Sequence, residues 1–149
     1  MAHALGISVE GELGYRAKDE LVDVAQLATA EMAAEFVAKT HVDALAIAFR
    51  NREGGELGTD RLEELAQAVN SPFVMHSGGK LAAYKDFIAH GIAKVNVPTD
   101  MSTTAIATLQ AECAKDPVAN YINLMAAVKK AVKGSAKEYM IKFDSVAKV

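Results

Sequence analysis

Four short apolar runs, each separated from the next by a segment of helical periodicity, constrain this chain more than any other feature. Ile7 to Leu13, Ala44 to Phe49, Phe73 to Met75 and Ile92 to Val97 are the runs. Each has the continuous apolar character of a strand covered on both faces, as in a parallel sheet. Strand and helix in alternation predict parallel strands joined by right-handed crossovers.

The intervening segments read as amphipathic helices. Thr29 can N-cap one that carries Met32, Phe36 and Val37 on one side and ends near Lys39. Thr59 can cap a second with Leu62, Leu65, Ala66 and Val69 as its stripe. Ala82 to His90 is a shorter helix, ended by Gly91 in the left-handed region. A longer one follows Asp100, with Ile106, Leu109 and Cys113 at helical spacing, until Pro117 breaks it. Tyr121 to about Phe143 forms a closing helix on Leu124, Met125, Val128 and Val132.

Two architectures satisfy this pattern: a four-stranded doubly wound sheet, or half of a (β/α)8 barrel. With 149 residues the chain is too short for the complete barrel, which needs roughly 200 or more. No linker or repeat divides it, so residues 1–149 read as a single domain. Lysine and arginine number 16 against 19 acidic residues, a formal charge of -3. That balance argues against nucleic acid or an anionic membrane as partner, while leaving room for one small phosphate. The lone cysteine, Cys113, excludes an internal disulfide and reads as a small buried hydrophobe in a reducing compartment. The N-terminal residues show no signal-peptide pattern, and no apolar stretch approaches the ~20 residues of a membrane helix. A cytoplasmic location is expected.

In parallel α/β folds the chemistry gathers at the carboxyl ends of the strands. The first run ends Val9-Glu10-Gly11-Glu12-Leu13-Gly14, two carboxylates on one strand face. The second leads into Arg50-Asn51-Arg52-Glu53-Gly54-Gly55, the third into His76-Ser77-Gly78-Gly79-Lys80, and the fourth contains Lys94-Val95-Asn96-Val97-Pro98-Thr99-Asp100. Each has a plain structural explanation. Paired carboxylates protect an edge strand, a strand-end histidine settles into loop hydrogen bonds, and threonine and aspartate cap helices. A Gly-Gly turn can cradle a phosphate through its N–H groups or simply turn the chain. Polar residues at four successive strand ends nevertheless point to a site.

Ala2-His3-Ala4-Leu5-Gly6-Ile7-Ser8-Val9-Glu10-Gly11-Glu12-Leu13-Gly14 resembles the A-H-x-x-G-x-S-V-E-(A/G)-E-L-G segment of class II, zinc-dependent ketose-bisphosphate aldolases. The resemblance continues through Ala33 to Val37, Val42 to Ala48, Val74-Met75-His76 and Gly91 to Asp100, and the tail from Asp116 to Val149 resembles the family's closing helix. It implies α/β architecture as a (β/α)4 half of a TIM barrel, strands five to eight of the family barrel, plus a C-terminal helix. It implies as function the metal-assisted aldol cleavage of a ketose bisphosphate such as fructose bisphosphate, with zinc polarising the ketone.

Carried over by position, Glu12 is the glutamate near the metal and takes a catalytic role, and His76 is a zinc histidine. Asn96 holds the ketose-phosphate backbone, with Thr99 and Asp100 near the phosphate. The phosphate loop H-G-G-(S/T)-G reads His76-Ser77-Gly78-Gly79-Lys80, which keeps Ser77, Gly78 and Gly79 as substrate-binding candidates. The family's G-T-S-H-G corresponds to Arg50-Asn51-Arg52-Glu53-Gly54, so Glu53 stands where a zinc histidine is expected and would bind through oxygen. Ser102 replaces the arginine after T-D-L. The aspartate proton donor and one further zinc histidine belong to the part of the family barrel that this sequence does not match. Impaired or absent catalysis by this chain alone is therefore expected. The alternative is a non-catalytic remnant that binds a ketose bisphosphate or triose phosphate, or that serves as a self-assembling half-barrel.

Four strands of a ring leave two edges and an unfilled interior face, for which Ala46, Ala48, Val74 and Val95 are candidates. The expected partner is a second copy, forming a homodimer, or a complementing half-barrel. Collapse into an open sheet covered by a helix is the competing outcome.

Overall fold

The computed structural model describes residues 1–14, 28–47, 59–76, 84–115 and 120–146. A short helical turn, His3–Leu5, precedes β1 (Glu10–Leu13), α1 (Ala30–Thr40), β2 (Ala44–Ile47), α2 (Thr59–Ala68), β3 (Phe73–His76), α3 (Tyr84–Ala89), β4 (Ile92–Asn96), α4 (Pro98–Lys115) and α5 (Tyr121–Lys142). The strands form one parallel sheet in the order β1-β2-β3-β4. Each strand thus lies beside its sequence neighbour, without the reversal of strand order that marks a doubly wound sheet.

The chain divides into two compact units, residues 1–76 with 86–96, and residues 77–85 with 97–149. The first contains the whole sheet. Register places Glu12, Ala46, Val74 and Lys94 side by side, so these residues share one face, with Glu10, Ala44, His76 and Asn96 alternating onto it. The opposite face carries Gly11, Leu45, Ile47, Phe73 and Met75 and is closed by helices. Leu45, Phe73 and Met75 are almost wholly buried, as are Ala33 of α1 and Leu62 and Leu65 of α2. Packing is close at Gly11, where a Cβ would lie 2.7 Å from the Phe36 ring and 2.9 Å from Val42.

The helix signals act as expected at several ends. Thr29 Oγ1 accepts from the Met32 N–H at 3.2 Å, satisfying one of the orphan donors of α1. His41 ends the same helix in the left-handed region, φ 55°, its N–H bonded to the Val37 carbonyl. Gly91, φ 113°, makes the turn between α3 and β4. A strap secures the entry to β2, where the Asp43 carboxylate accepts from the Val9 N–H at 2.6 Å and pairs with His3 Nε2 at 2.8 Å. The Val9 N–H, and then His3, hold the Asp43 carboxyl below its ordinary pKa.

In the second unit α4 and α5 pack against each other. Asn120 caps α5 through bonds to the N–H groups of Ile122 and Asn123. Tyr139 of α5 is buried beside Tyr84 and Phe143, with ring centroids 6.1 and 5.5 Å away. The expected stripe of α5 is present, with Leu124, Met125, Val128 and Val132 half-buried.

Other expectations need correction. Cys113 is exposed, not a buried hydrophobe. The half-buried stripe of α4 runs through Met101, Thr104, Ala105, Thr108, Leu109 and Glu112, which leaves Ile106 and Cys113 beside it. Apolar spacing selects an adjacent face because two threonines, Thr104 and Thr108, form part of the half-buried one. Met32 and Ala66 are likewise exposed on their helices. Val95 pairs with Met75 and so lies on the helix-covered face, since an irregularity between Phe73 and Val74 shifts the register of β4. Ala46 and Val74 do occupy the expected face. Ala48 lies outside the described residues.

Leu45→Ala, at a side chain with no solvent exposure, should lower the unfolding free energy by about 2–5 kcal/mol in urea denaturation. Ile106→Ala, on the exposed side of α4, should change it by no more than about 0.5 kcal/mol. Equal losses at the two positions would contradict the assigned α4 face.

Candidate functional site

The polar residues of the first unit converge on the sheet face opposite Leu45, Phe73 and Met75. Alternation puts Glu10 and Glu12 on one side of β1, and their register partners on β2 are Ala44 and Ala46. These small side chains leave the space above β2 to the two carboxylates, which reach across it to β3. His76, at the carboxyl end of β3, receives them on both ring nitrogens. Nε2 lies 3.3 Å from Glu10 Oε1, and Nδ1 lies 3.5 Å from Glu12 Oε1. A neutral imidazole can donate to one carboxylate at a time, whereas the imidazolium can serve both.

Lys94 completes the cluster. Its Nζ lies 2.7 Å from Glu10 Oε2 and 2.7 Å from Asn96 Oδ1. Because an ammonium only donates, the Asn96 atom facing it is the carbonyl oxygen, and the amide NH2 is directed elsewhere. The bond from Lys94 holds the Glu10 carboxyl below the usual carboxylate range. His76 adds a smaller pull in the same direction, and partial burial opposes both. The result is a connected array, Glu12–His76–Glu10–Lys94–Asn96. It can pass a proton between imidazole and carboxylate while presenting an oriented amide donor.

Of the candidates from the sequence, Glu12, His76 and Asn96 meet on this face. Thr99 and Asp100 fall in the second unit, in the first turn of α4, where Asp100 accepts the hydroxyl hydrogen bond of Tyr139. Glu53, Ser77, Gly78 and Gly79 lie outside the described residues. Lys94 and the partnership of Glu10 with His76 were not assigned to the site from sequence. The signal for both was parity, since Lys94 is two residues from Asn96 and Glu10 two from Glu12.

A catalytic zinc takes three protein ligands. Among the described residues no group of three or more histidine, cysteine, aspartate or glutamate side chains is disposed to hold a metal. His76 already has a carboxylate at each nitrogen, and Glu10 is shared with Lys94. The described residues therefore do not fit the ion by themselves.

A parallel (β/α)4 array with carboxylates, imidazole and amide gathered on one sheet face defines the class as half of an α/β barrel. The comparisons with known proteins give the family. The fructose-bisphosphate aldolase class II family model matches residues 1–148, and the chain belongs to that family. It is similar to the YdjI aldolase of Escherichia coli K12, with 34% identity and a TM-score of 0.76 over 98% of this chain and 51% of that structure. The sulfofructosephosphate aldolase of Alkalicoccus urumqiensis is 34% identical over 97% of this chain and 55% of its own length. The fructose-bisphosphate aldolase of Streptococcus pyogenes is 33% identical over 99% of this chain and 57% of its own length. The chain thus spans about half the length of the curated relatives it matches. The fold is the expected half of a TIM barrel. Among the described residues no helix is long and apolar enough to cross a membrane.

Lys94→Met should raise the Glu10 pKa toward its ordinary value of 4.5, measured by carbon-13 NMR of the side-chain carboxyl. In the unsubstituted protein the lowered pKa stabilises the fold above the ordinary value, and this contribution disappears as pH falls through the folded pKa. The variant should therefore lose less stability across that acid window. An unchanged Glu10 titration would remove Lys94 from the cause.

Proposed function

We propose that this chain carries the histidine, glutamate and asparagine portion of a class II aldolase site, and binds the ketone and hydroxyl groups of a ketose bisphosphate or triose phosphate. The observation that carries the reading is the Asn96 amide, fixed by Lys94 on the same face as His76 and Glu12. In this reading Asn96 donates to a substrate oxygen, while Glu12 and His76 exchange a proton with the adjacent hydroxyl. The resemblance assigns the phosphate to Ser77, Gly78 and Gly79 and the surrounding substrate contacts to Thr99 and Asp100.

Whole-family activity is the metal-assisted cleavage of the sugar, and the resemblance would give the zinc to His76, Glu12 and Glu53, a set that the described residues do not assemble by themselves. The arrangement favours binding without turnover by this chain alone. His76 is engaged at both nitrogens, and Glu53 differs from the histidine of the family pattern. The proposed compartment is the cytoplasm, where an exposed thiol such as Cys113 stays reduced.

Calorimetry with dihydroxyacetone phosphate tests the reading. Binding is expected, and Asn96→Ala should weaken it by about 2- to 10-fold, the worth of one hydrogen bond. Fructose bisphosphate incubated with the chain should remain uncleaved with or without added zinc. Absence of binding would overturn the site. Cleavage abolished by a chelator would overturn the binding-only version and restore the enzyme.

A further inference from the structure

We infer that two copies of this chain close one eight-stranded ring, with β4 of each pairing in parallel with β1 of the other. The inference rests on the sheet and its charges, and not on the ligand proposed above. Among the described residues β1 and β4 are the two edges of the sheet. An edge strand presents backbone donors and acceptors that favour a further strand. Three strand spacings, about 14 Å in a flat sheet, separate β1 from β4. Yet Glu10 and Lys94 meet at 2.7 Å across the intervening strands. Side chains stand roughly perpendicular to a sheet, so this contact requires the sheet to curl around its polar face. The curl turns the two edges toward a common partner.

Charge selects that partner and its orientation. The β1 edge carries Glu10 and Glu12 on the concave face, and the β4 edge carries Lys94 on the same face. Pairing β1 with β1, or β4 with β4, would place like charges opposite one another and would make an antiparallel seam. Like charges directly opposite are destabilising in a sheet. A twofold axis along the strands instead brings β4 to β1 at both seams and keeps all eight strands parallel. Lys94 of each copy then faces the glutamate pair of the other. Such an interface is isologous and closes without leaving an edge. The carboxylates and imidazoles of both copies face one interior, so each copy contributes residues to the other's site.

Light scattering on the full 149-residue chain at micromolar concentration should give twice 15.8 kDa. Lys94→Glu and Glu12→Lys should each weaken the dimer by at least about tenfold, because each sets like charges at both seams. Mixed in equal amounts, the two variants should form a heterodimer, in which one seam keeps Lys94 against glutamate and the other has the pair reversed. Circular dichroism checks that each variant is folded. If Lys94→Glu does not fold, Lys94→Gln removes the charge without reversing it and should still weaken the dimer. A monomeric unsubstituted chain, a dimer indifferent to these substitutions, or folded variants that stay apart on mixing would overturn the seam. So would a heterodimer of Lys94→Glu with the unsubstituted chain stronger than either homodimer, which marks β4 pairing with β4. Dihydroxyacetone phosphate binding is read separately, so failure of the seam and failure of the ligand proposal are distinguishable.

Discussion

The ion pair between Glu10 and Lys94 joins the first and last strands of the sheet across two others. A flat sheet would hold these strands too far apart for side chains that project from its surface. The bond therefore expresses curvature, and curvature is what separates half a ring from an open sheet. Everything distinctive on the concave face follows from it. The carboxylates of β1 reach His76 on β3, and Lys94 reaches back to Glu10. Asn96, two residues beyond Lys94, is oriented by the same ammonium.

Small residues make this convergence possible. Ala44 and Ala46 on β2 yield the space that Glu10 and Glu12 cross, and Ala46 is almost fully covered on that face. Gly11 performs the corresponding task on the other side, letting Phe36 and Val42 come within van der Waals range of β1. Branched side chains at these positions would hold the layers apart. The alternation of small and large residues along β1 and β2 is thus shared between fold and site.

Much of the fold was legible in the sequence because the strands are short and apolar, and the helices are mostly striped at the right period. Spacing alone marks Leu62 and Leu65 of α2, with Val69 just past its end, as buried, although it also marks the exposed Ala66, and it marks the α5 stripe of Leu124, Met125, Val128 and Val132. Reading failed where polarity was ambiguous. Threonines line the half-buried side of α4, so apolar spacing points to Ile106 and Cys113, which are both exposed. Val95 lies on the helix-covered face against expectation, because the shift of register between β3 and β4 is a backbone irregularity with no residue signature of its own. At the site, Glu12, His76 and Asn96 could be nominated from resemblance, but the part played by Lys94 needed the three-dimensional path from β4 to β1.

In the proposed function the charges on this face would also divide the labour of recognising a phosphorylated sugar. Two carboxylates stand there against one ammonium, and both glutamates lie within reach of His76. With a neutral imidazole the array is net anionic, and with an imidazolium it is balanced. Neither state attracts a dianionic phosphate, whereas both offer oriented partners to a ketone or hydroxyl. A phosphate needs N–H groups or cations, and the sequence concentrates these after the strand ends, in Ser77-Gly78-Gly79-Lys80 and around Arg50 and Arg52. In the proposed function the strands therefore handle the carbon–oxygen chemistry of the ligand, and the segments that follow them take its charge.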